Sequence, residues 1–214
     1  MLNVLICLAG VAAVLVASEM LYSRRLLRGE RERKFIHIIV GCYVAAWPWL
    51  ISWHWIQVIG LGMLAIVLAN HRRQKLHISG GVHRRSWGEI FFALAIVLCA
   101  SLTNVKVFFA IAILHLALAD GLAALFGKKY GSNWKYHFWG ANKTLVGSAT
   151  FWLCSLTILG FGLLAATSQV GYSHYVLLCL ALPPILTLAE ASLGFGLDNL
   201  AVPLIVIWAL ALAS

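Results

Sequence analysis

Four acidic side chains stand in, or at the ends of, strongly apolar stretches of the sequence: Glu89, Asp120, Glu190 and Asp198. An ionised carboxylate is costly inside a bilayer, and such residues usually face a protein interior or a water-filled cavity where they have a function. Asp120 is the sharpest case, because mostly apolar residues precede it and Gly121 follows it at once. We therefore interpret Asp120 as a catalytic residue and a metal ligand.

A second group of oxygen ligands surrounds the short stretch "ASLGFGL". Glu190 precedes this stretch, and Asp198 and Asn199 follow it. Carboxylate oxygens are the ligands that Mg²⁺ uses when it is held against a phosphate-bearing substrate. Together with Asp120 these residues predict a site for Mg²⁺ or Mn²⁺. The alternative is that Glu190 or Asp198 caps the end of a helix, a role that suits Asp198 especially.

Two further side chains are candidates for accepting a proton in catalysis. Glu89 has a structural alternative, because Ser86 and Glu89 have the spacing of a helix capping box. His37 lies four residues after Arg33, so both occupy one face of a helix. A lone histidine at a helix start is usually structural or binds a backbone carbonyl. The basic pair Arg33 and Lys34 beside it favours a catalytic or phosphate-binding role.

The stretch from 120 to 148 carries glycines and lysines in a pattern that suits phosphate. Glycine permits tight turns and close approach of a ligand, and the N-terminus of a helix attracts anions. Lys143 and Thr144 stand where the next apolar helix begins, although the GxxxxGK[ST] pattern of a P-loop is absent. The predicted phosphate-binding residues are Arg33, Lys34, Gly121, Gly127, Gly131, Lys143, Thr144, Gly147 and Ser148.

Composition determines what kind of protein must position these side chains. The chain has 214 residues, of which 62% are hydrophobic and 11% are charged, and its mean hydropathy is +0.91. Soluble proteins are about half apolar and about a quarter charged. We predict a single all-α integral membrane domain over 1–214, a bundle of about 8 (7–9) helices, since a span needs about 20 residues. The predicted spans lie near 2–22, 36–51, 56–70, 88–104, 106–126, 144–166, 175–190 and 198–213.

The positive charges orient this predicted bundle. Fifteen of the sixteen lysines and arginines fall in three alternating loops, and only Lys106 lies elsewhere. Basic loops of membrane proteins face the cytoplasm, so the net charge of +9 does not call for nucleic acid as a partner. The motif-bearing loops predicted on the cytoplasmic side, together with the site, are 23–35, 71–88, 127–143 and 190–199.

The order of the motifs resembles that of the membrane-embedded lipid-alcohol kinases, the group of dolichol kinase, phytol kinase and the CTP-dependent diacylglycerol kinase of yeasts. The motifs are "ERKFIHIIVG", "RRSWGE", "DGLAALFGKKYG", "NKTLVGS" and "DNLAVP", and they span 32–203. The resemblance implies a nucleotide donor, often CTP, and a long-chain isoprenoid alcohol as acceptor. Val146 stands where dolichol-kinase-like members tend to have glutamate, which is closer to the phytol kinase pattern. The nucleotide-binding stretch of the family maps onto Asp120, Gly121, Gly127, Gly131, Lys143, Thr144, Gly147 and Ser148.

The expected function is phosphoryl transfer from a nucleoside triphosphate, with CTP favoured, to an alcohol such as phytol or a polyprenol. The expected partners are these two substrates and membrane lipids, and the oligomeric state is left open. A phosphatidate cytidylyltransferase-like enzyme is an alternative, although its acidic C-terminal motif is missing. A small proton- or cation-coupled transporter is another, although no internal repeat is visible. Both a bacterial inner membrane and a eukaryotic organelle membrane fit the sequence.

Overall fold

The protein is described by a computed structural model over residues 1–24, 30–73, 87–138 and 141–214. The predicted helical fold is confirmed, since helices dominate these residues. The elements are α1 (Leu2–Ser23), α2 (Glu30–Ala45), α3 (Trp47–Leu50), α4 (Trp53–Arg73), α5 (Gly88–Leu102), α6 (Lys106–Leu114), a π-helical segment (His115–Ala119), α7 (Asp120–Tyr130), β1 (Lys135–Phe138), β2 (Ala141–Thr144), α8 (Leu145–Leu164), α9 (Tyr172–Ser192) and α10 (Asp198–Leu212).

The central helix of the bundle runs without interruption from Lys106 to Tyr130 through α6, the π-helical segment and α7. In an apolar 18-residue stretch of this helix, 67% of the residues are buried, whereas the share is 17% in the corresponding stretches of α1 and α4. Neighbouring helices surround this central helix, with α2 on the π-helical segment, α8 along α7, and α10 against α6. The central helix ends beside the loops that carry the sequence motifs, which is how it brings Asp120 to the site.

Among the described residues, five helices are long and apolar enough to cross a membrane: α1, α4, the central helix, α8 and α9. Helices α5 and α10 are apolar but have only 15 residues each. The predicted count of about eight spans is therefore not confirmed. The run 36–51 does not form one helix, because α2 ends at Ala45 and the four-residue α3, with Pro48 in its first turn, follows it.

The structure contains a small β-hairpin, which the prediction of an all-α fold did not include. Strands β1 and β2 pair antiparallel, from Lys135 opposite Thr144 to Phe138 opposite Ala141. The hairpin begins in the segment 127–143, which the sequence predicts only as a basic loop, and it ends one residue beyond it, at Thr144. It leads directly into α8, so it fixes where Lys143 and Thr144 stand relative to that helix.

Candidate active site

A cavity of about 590 Å³ opens at the end of the bundle where the motif-bearing segments meet. Each of the four predicted motif loops, or a residue next to it, contributes to the lining. The lining residues are Arg33, Lys34, Gly88, Asp120, Ala123, Ala124, Gly127, Lys128, Ser132, Lys135, Asn142, Lys143, Thr144, Gly147, Ser148, Glu190, Leu193, Gly194, Phe195, Gly196, Asp198 and Asn199. Five of these carry a positive charge and three a negative charge, so the lining is positive on balance and suits an anionic ligand.

Three carboxylates converge within the cavity. Asp120 begins α7, Glu190 lies in the last turn of α9, and Asp198 begins α10. One oxygen of each lies within 4.8 Å of an oxygen of the other two, and Asp120 and Glu190 are buried. Carboxylates that are brought together in this way repel one another unless cations lie between them. The arrangement has the donor set of a site for a hard divalent ion such as Mg²⁺.

Two buried oxygens support the same interpretation. Within the described part of the chain, Glu190 Oε2 and Asn199 Oδ1 have no hydrogen-bond partner. The amide of Asn199 donates through Nδ2 to the carbonyl oxygen of Gly88 at 3.0 Å, which leaves Oδ1 as the free end. A buried acceptor without a partner costs about 1–3 kcal/mol. A cation coordinated by these oxygens would remove that cost, so Asp120, Glu190, Asp198 and Asn199 fit a divalent metal.

Two lysines contact the carboxylates. The ammonium of Lys34, on α2, donates to Asp120 Oδ2. The ammonium of Lys143, on β2, donates to Glu190 Oε1 and, at 3.3 Å, to Asp198 Oδ2. Burial alone would favour the neutral amine, but the carboxylates of Glu190 and Asp198 outweigh it and raise the pKa of Lys143 above its usual value. Lys143 is therefore cationic at any physiological pH.

His37 supports the helix that carries Asp120. Its Nε2 donates to the carbonyl oxygen of Leu116 at 2.9 Å and lies 3.6 Å from Asp120 Oδ2. The π-helical segment makes this possible. In a regular α-helix the backbone N–H of Asp120 would bond the carbonyl of Leu116, but here it bonds the carbonyls of Ala117 and His115. The Leu116 carbonyl is thereby left for His37. Since Nε2 carries its proton for the Leu116 carbonyl, this nitrogen is not a free base. His37 is not among the residues that line the cavity.

The N-terminus of α8 faces the cavity. Thr144 caps it, with Oγ1 accepting from the backbone N–H of Gly147 at 3.0 Å. A Cβ on Gly127 would lie 2.7 Å from Thr144 Oγ1 and 3.2 Å from the Cα of Gly147. Gly127 thus lets α7 and the start of α8 approach closely. The positive end of the α8 dipole and its first N–H groups are suited to phosphate oxygens.

The turn between α9 and α10 forms one wall of the cavity. Gly196 has φ +87°, and a Cβ there would meet the backbone N and Cα of Gly88 at 2.6 Å. Phe195 has φ 58°, although it is not glycine, and 79% of it is exposed. The two glycines of "LGFG" signalled a turn in the sequence, but no local pattern indicated that Phe195 lines the cavity.

The structure brings most of the predicted site residues together. Those that line the cavity are Arg33, Lys34, Asp120, Gly127, Lys143, Thr144, Gly147, Ser148, Glu190, Asp198 and Asn199. Besides His37, the predicted residues outside the lining are Gly121, Gly131 and Glu89.

The two glycines among them have packing roles. A Cβ on Gly121 would collide with the side chain of Ile38, and one on Gly131 would lie 2.6 Å from Thr144. Glu89 lies in the first turn of α5. Ser86, the partner in the predicted capping box, is outside the described residues. Sequence reasoning missed Lys128, Lys135, Ser132 and Asn142 as lining residues, because a basic or polar loop residue has no local signal of direction.

A phytol kinase from Synechocystis sp. is 32% identical to the chain, over an alignment that covers 92% of this chain and 86% of the relative. The chain belongs to the phytol kinase family of lipid-alcohol kinases. The resemblance carried by the ordered motifs is thereby confirmed. No protein-family model matches the chain, and no solved structure matches it. Membership of the phytol kinase family, together with the apolar helices, also supports the prediction of a membrane protein.

Proposed function

We propose that this protein transfers the γ-phosphoryl group of a nucleoside triphosphate, CTP by preference, to a long-chain isoprenoid alcohol such as phytol or a polyprenol. The observation that carries the proposal is the convergence of Asp120, Glu190 and Asp198 inside a cavity that five lysine and arginine side chains also line. A phosphate-binding pocket alone requires no carboxylates. A pocket that binds a metal–triphosphate requires carboxylates for the metal ion and cationic groups for the phosphates, as in other phosphoryl-transfer enzymes.

Asp120, Glu190, Asp198 and Asn199 would hold Mg²⁺ or Mn²⁺, which supplies charge neutralisation for the triphosphate. The N-terminus of α8 at Thr144 and the lysines of the cavity would bind phosphate oxygens. These groups hold the γ-phosphorus in line between the leaving oxygen and the acceptor.

In the transfer itself, the alcohol oxygen forms a bond to the γ-phosphorus as the bond to the β–γ bridging oxygen breaks. The nucleoside diphosphate leaves, and the hydroxyl proton passes to water in the open cavity. Because such transition states are loose, positioning and charge stabilisation matter more than a strong base. His37 acts as a positioning residue in this scheme, since its Nε2 holds the backbone next to Asp120.

The acceptor reaches the site from the membrane. Its isoprenoid chain lies in the bilayer beside the apolar helices, and its hydroxyl enters the mouth of the cavity. The name of the relative, phytol kinase, supports a prenol acceptor. CTP is favoured as the donor by the motif resemblance, and the cluster of basic loops supports a cavity that opens to the cytoplasm.

The proposal is tested with purified protein in detergent, Mg²⁺, and CTP labelled on either the γ- or the α-phosphate. We expect the γ-label to appear in phytyl phosphate and the α-label to remain in the nucleotide. ATP, GTP and UTP, and polyprenol, dolichol and diacylglycerol, define the donor and acceptor preferences. Transfer of the α-label to phosphatidate would instead establish the cytidylyltransferase alternative.

Asp120→Asn should reduce γ-transfer at least about 100-fold, the usual effect of removing one charge-stabilising group from a transfer site. Glu19→Gln is the matched control, because it makes the same acid-to-amide change at an exposed position of α1. Size-exclusion profiles and thermal midpoints in detergent show whether both variants are folded. An Asp120→Asn protein with wild-type activity would contradict the proposed function.

A further inference from the structure

Ammonium groups of the protein itself contact all three carboxylates of the candidate metal site. Lys143 Nζ bridges Glu190 and Asp198, and Lys34 Nζ contacts Asp120. Each of the three carboxylates that could bind a metal therefore has an ammonium as its partner. The group of three acids and two lysines carries one net negative charge.

This charge balance works against a metal ion that arrives alone. A divalent ion added to the five groups would leave a net positive charge in a largely buried site, and it would have to compete with ammonium groups already in contact. A metal ion that arrives with a triphosphate brings about four negative charges. Those charges give both lysines new partners at the moment when the metal takes their carboxylates.

We propose that Lys143 is a resident counter-cation: it occupies the metal position of the free protein and moves onto the phosphates when the metal–nucleotide complex binds. The metal therefore enters with the nucleotide and not before it. The inference rests on the proposed function, because it takes the three carboxylates as the metal ligands and a nucleoside triphosphate as the donor.

The position of Lys143 suits such a movement. It lies on the short strand β2, directly before Thr144, which caps the N-terminus of α8. Its side chain is 20% exposed, whereas the side chain of Lys34 is 9% exposed. The lysine side chain has a flexible four-carbon stem, and its ammonium is a point charge that can change partners without a fixed geometry. The α8 N-terminus, where phosphate oxygens are expected, is one residue away.

The test measures metal binding without turnover. The affinity for Mn²⁺ is determined by electron paramagnetic resonance of the free ion, with and without CTP, and without any lipid acceptor. We expect the wild-type protein to bind Mn²⁺ weakly alone and much more tightly with CTP. Lys143→Met should bind Mn²⁺ alone about 10-fold or more tighter than the wild type, and the gain on adding CTP should shrink.

Two further variants make the result specific. Lys129→Met is the control for a simple change of local charge, because Lys129 is exposed at the end of α7 and is not part of the cavity lining; it should change Mn²⁺ affinity less than about twofold. Lys143→Arg keeps the cation, so its binding of Mn²⁺ alone should stay weak. Should Lys143→Met not fold, Lys143→Gln, which also removes the charge, takes its place with the same expected gain in Mn²⁺ affinity.

The inference is overturned if Lys143→Met binds Mn²⁺ alone no more tightly than the wild type. It is also overturned if Lys143→Arg, which keeps the cation, shows the 10-fold gain in Mn²⁺ affinity that is expected of Lys143→Met. Failure of the proposed function would look different. In that case wild-type protein with CTP would bind Mn²⁺ no better than Glu190→Gln, which lacks one of the three carboxylates.

Discussion

At the scale of single residues, Phe195 combines a rare backbone conformation with an exposed side chain. A residue other than glycine with φ near 58° costs about 1–2 kcal/mol, because its Cβ crowds the carbonyl oxygen. The surrounding turn maintains this conformation, since Gly196 packs on the backbone of Gly88 and Asn199 bonds the Gly88 carbonyl. Strain of this kind persists mainly where a site uses it.

Phe195→Gly should therefore stabilise the protein and at the same time weaken its binding of the nucleotide. We expect a gain of about 0.5–1 kcal/mol, after allowing for the greater freedom of glycine in the unfolded chain, together with weaker nucleotide binding. Thermal midpoints in detergent and CTP titrations measure the two effects. Phe195→Leu retains the strained Cβ and should show no gain in stability. A Phe195→Gly protein that is less stable than the wild type would contradict the assignment of strain.

Asp120 shows what a sequence can and cannot reveal about a single residue. An acid in an apolar stretch is visible without any structure, and it predicts Asp120 as a site residue; the structure places Asp120 in the lining of the cavity. Its partner Lys34 lies 86 positions earlier in the chain. No local pattern connects the two, because their contact depends on how α2 packs against the central helix. The same holds for Lys143, whose two carboxylate partners come from α9 and α10.

At the scale of elements, the π-helical segment His115–Ala119 is the feature that sequence periodicity missed. The apolar residues of 106–130 are consistent with one helix, and nothing in their order indicates where a turn widens. The wider turn shifts the backbone so that the Leu116 carbonyl accepts from His37. Asp120 and Gly127, seven residues apart, lie on one face of α7, because this part of the helix keeps the α-helical repeat.

The contact between α7 and α8 gives a prediction with a matched control. Gly127→Ala places a methyl group against Thr144 Oγ1 and the Gly147 backbone, so the capping bond of Thr144 must shift. We expect a loss of about 1–2 kcal/mol from overpacking and the weakened cap. Gly160→Ala, on α8, meets no atom within 4 Å. It should gain about 0.5–1 kcal/mol through helix propensity.

Thermal unfolding in one detergent, followed by circular dichroism, separates the two alanine variants. Both remove a helical glycine, so any general benefit of alanine is common to them. Equal stability of Gly127→Ala and Gly160→Ala would show that the close approach at Thr144 has no energetic weight. A drop confined to Gly127→Ala would assign the cost to that approach.

At the scale of the whole molecule, the charge pattern predicted more than the hydrophobic pattern did. Four separate segments were predicted to share one membrane face, and residues in or beside all four line one cavity. The number of spans was harder to predict, because α5 and α10 are shorter than the bilayer requires and the run 36–51 is broken near Pro48. Apolar composition shows that a segment is buried, whether in lipid or in protein, and does not distinguish the two.

The same charge pattern predicts the orientation of the molecule in the membrane, and this prediction is open to direct measurement. Tyr172 begins α9 and Glu190 lies in its last turn, and their separation of 18 residues corresponds to about 27 Å, close to the thickness of the hydrocarbon core. Tyr172 therefore lies at the end of α9 away from the cavity, and Lys135 lines the cavity. Both positions are exposed and suit chemical labelling.

In a variant whose five native cysteines are replaced, Lys135→Cys and Tyr172→Cys should react with a membrane-impermeant maleimide from opposite sides. For protein expressed in a bacterial inner membrane, we expect Tyr172→Cys to react in intact spheroplasts and Lys135→Cys only in inside-out vesicles. This result would place the cavity where soluble nucleotides are available. Labelling of Lys135→Cys from the outer side would reverse the orientation and remove CTP from the list of accessible donors.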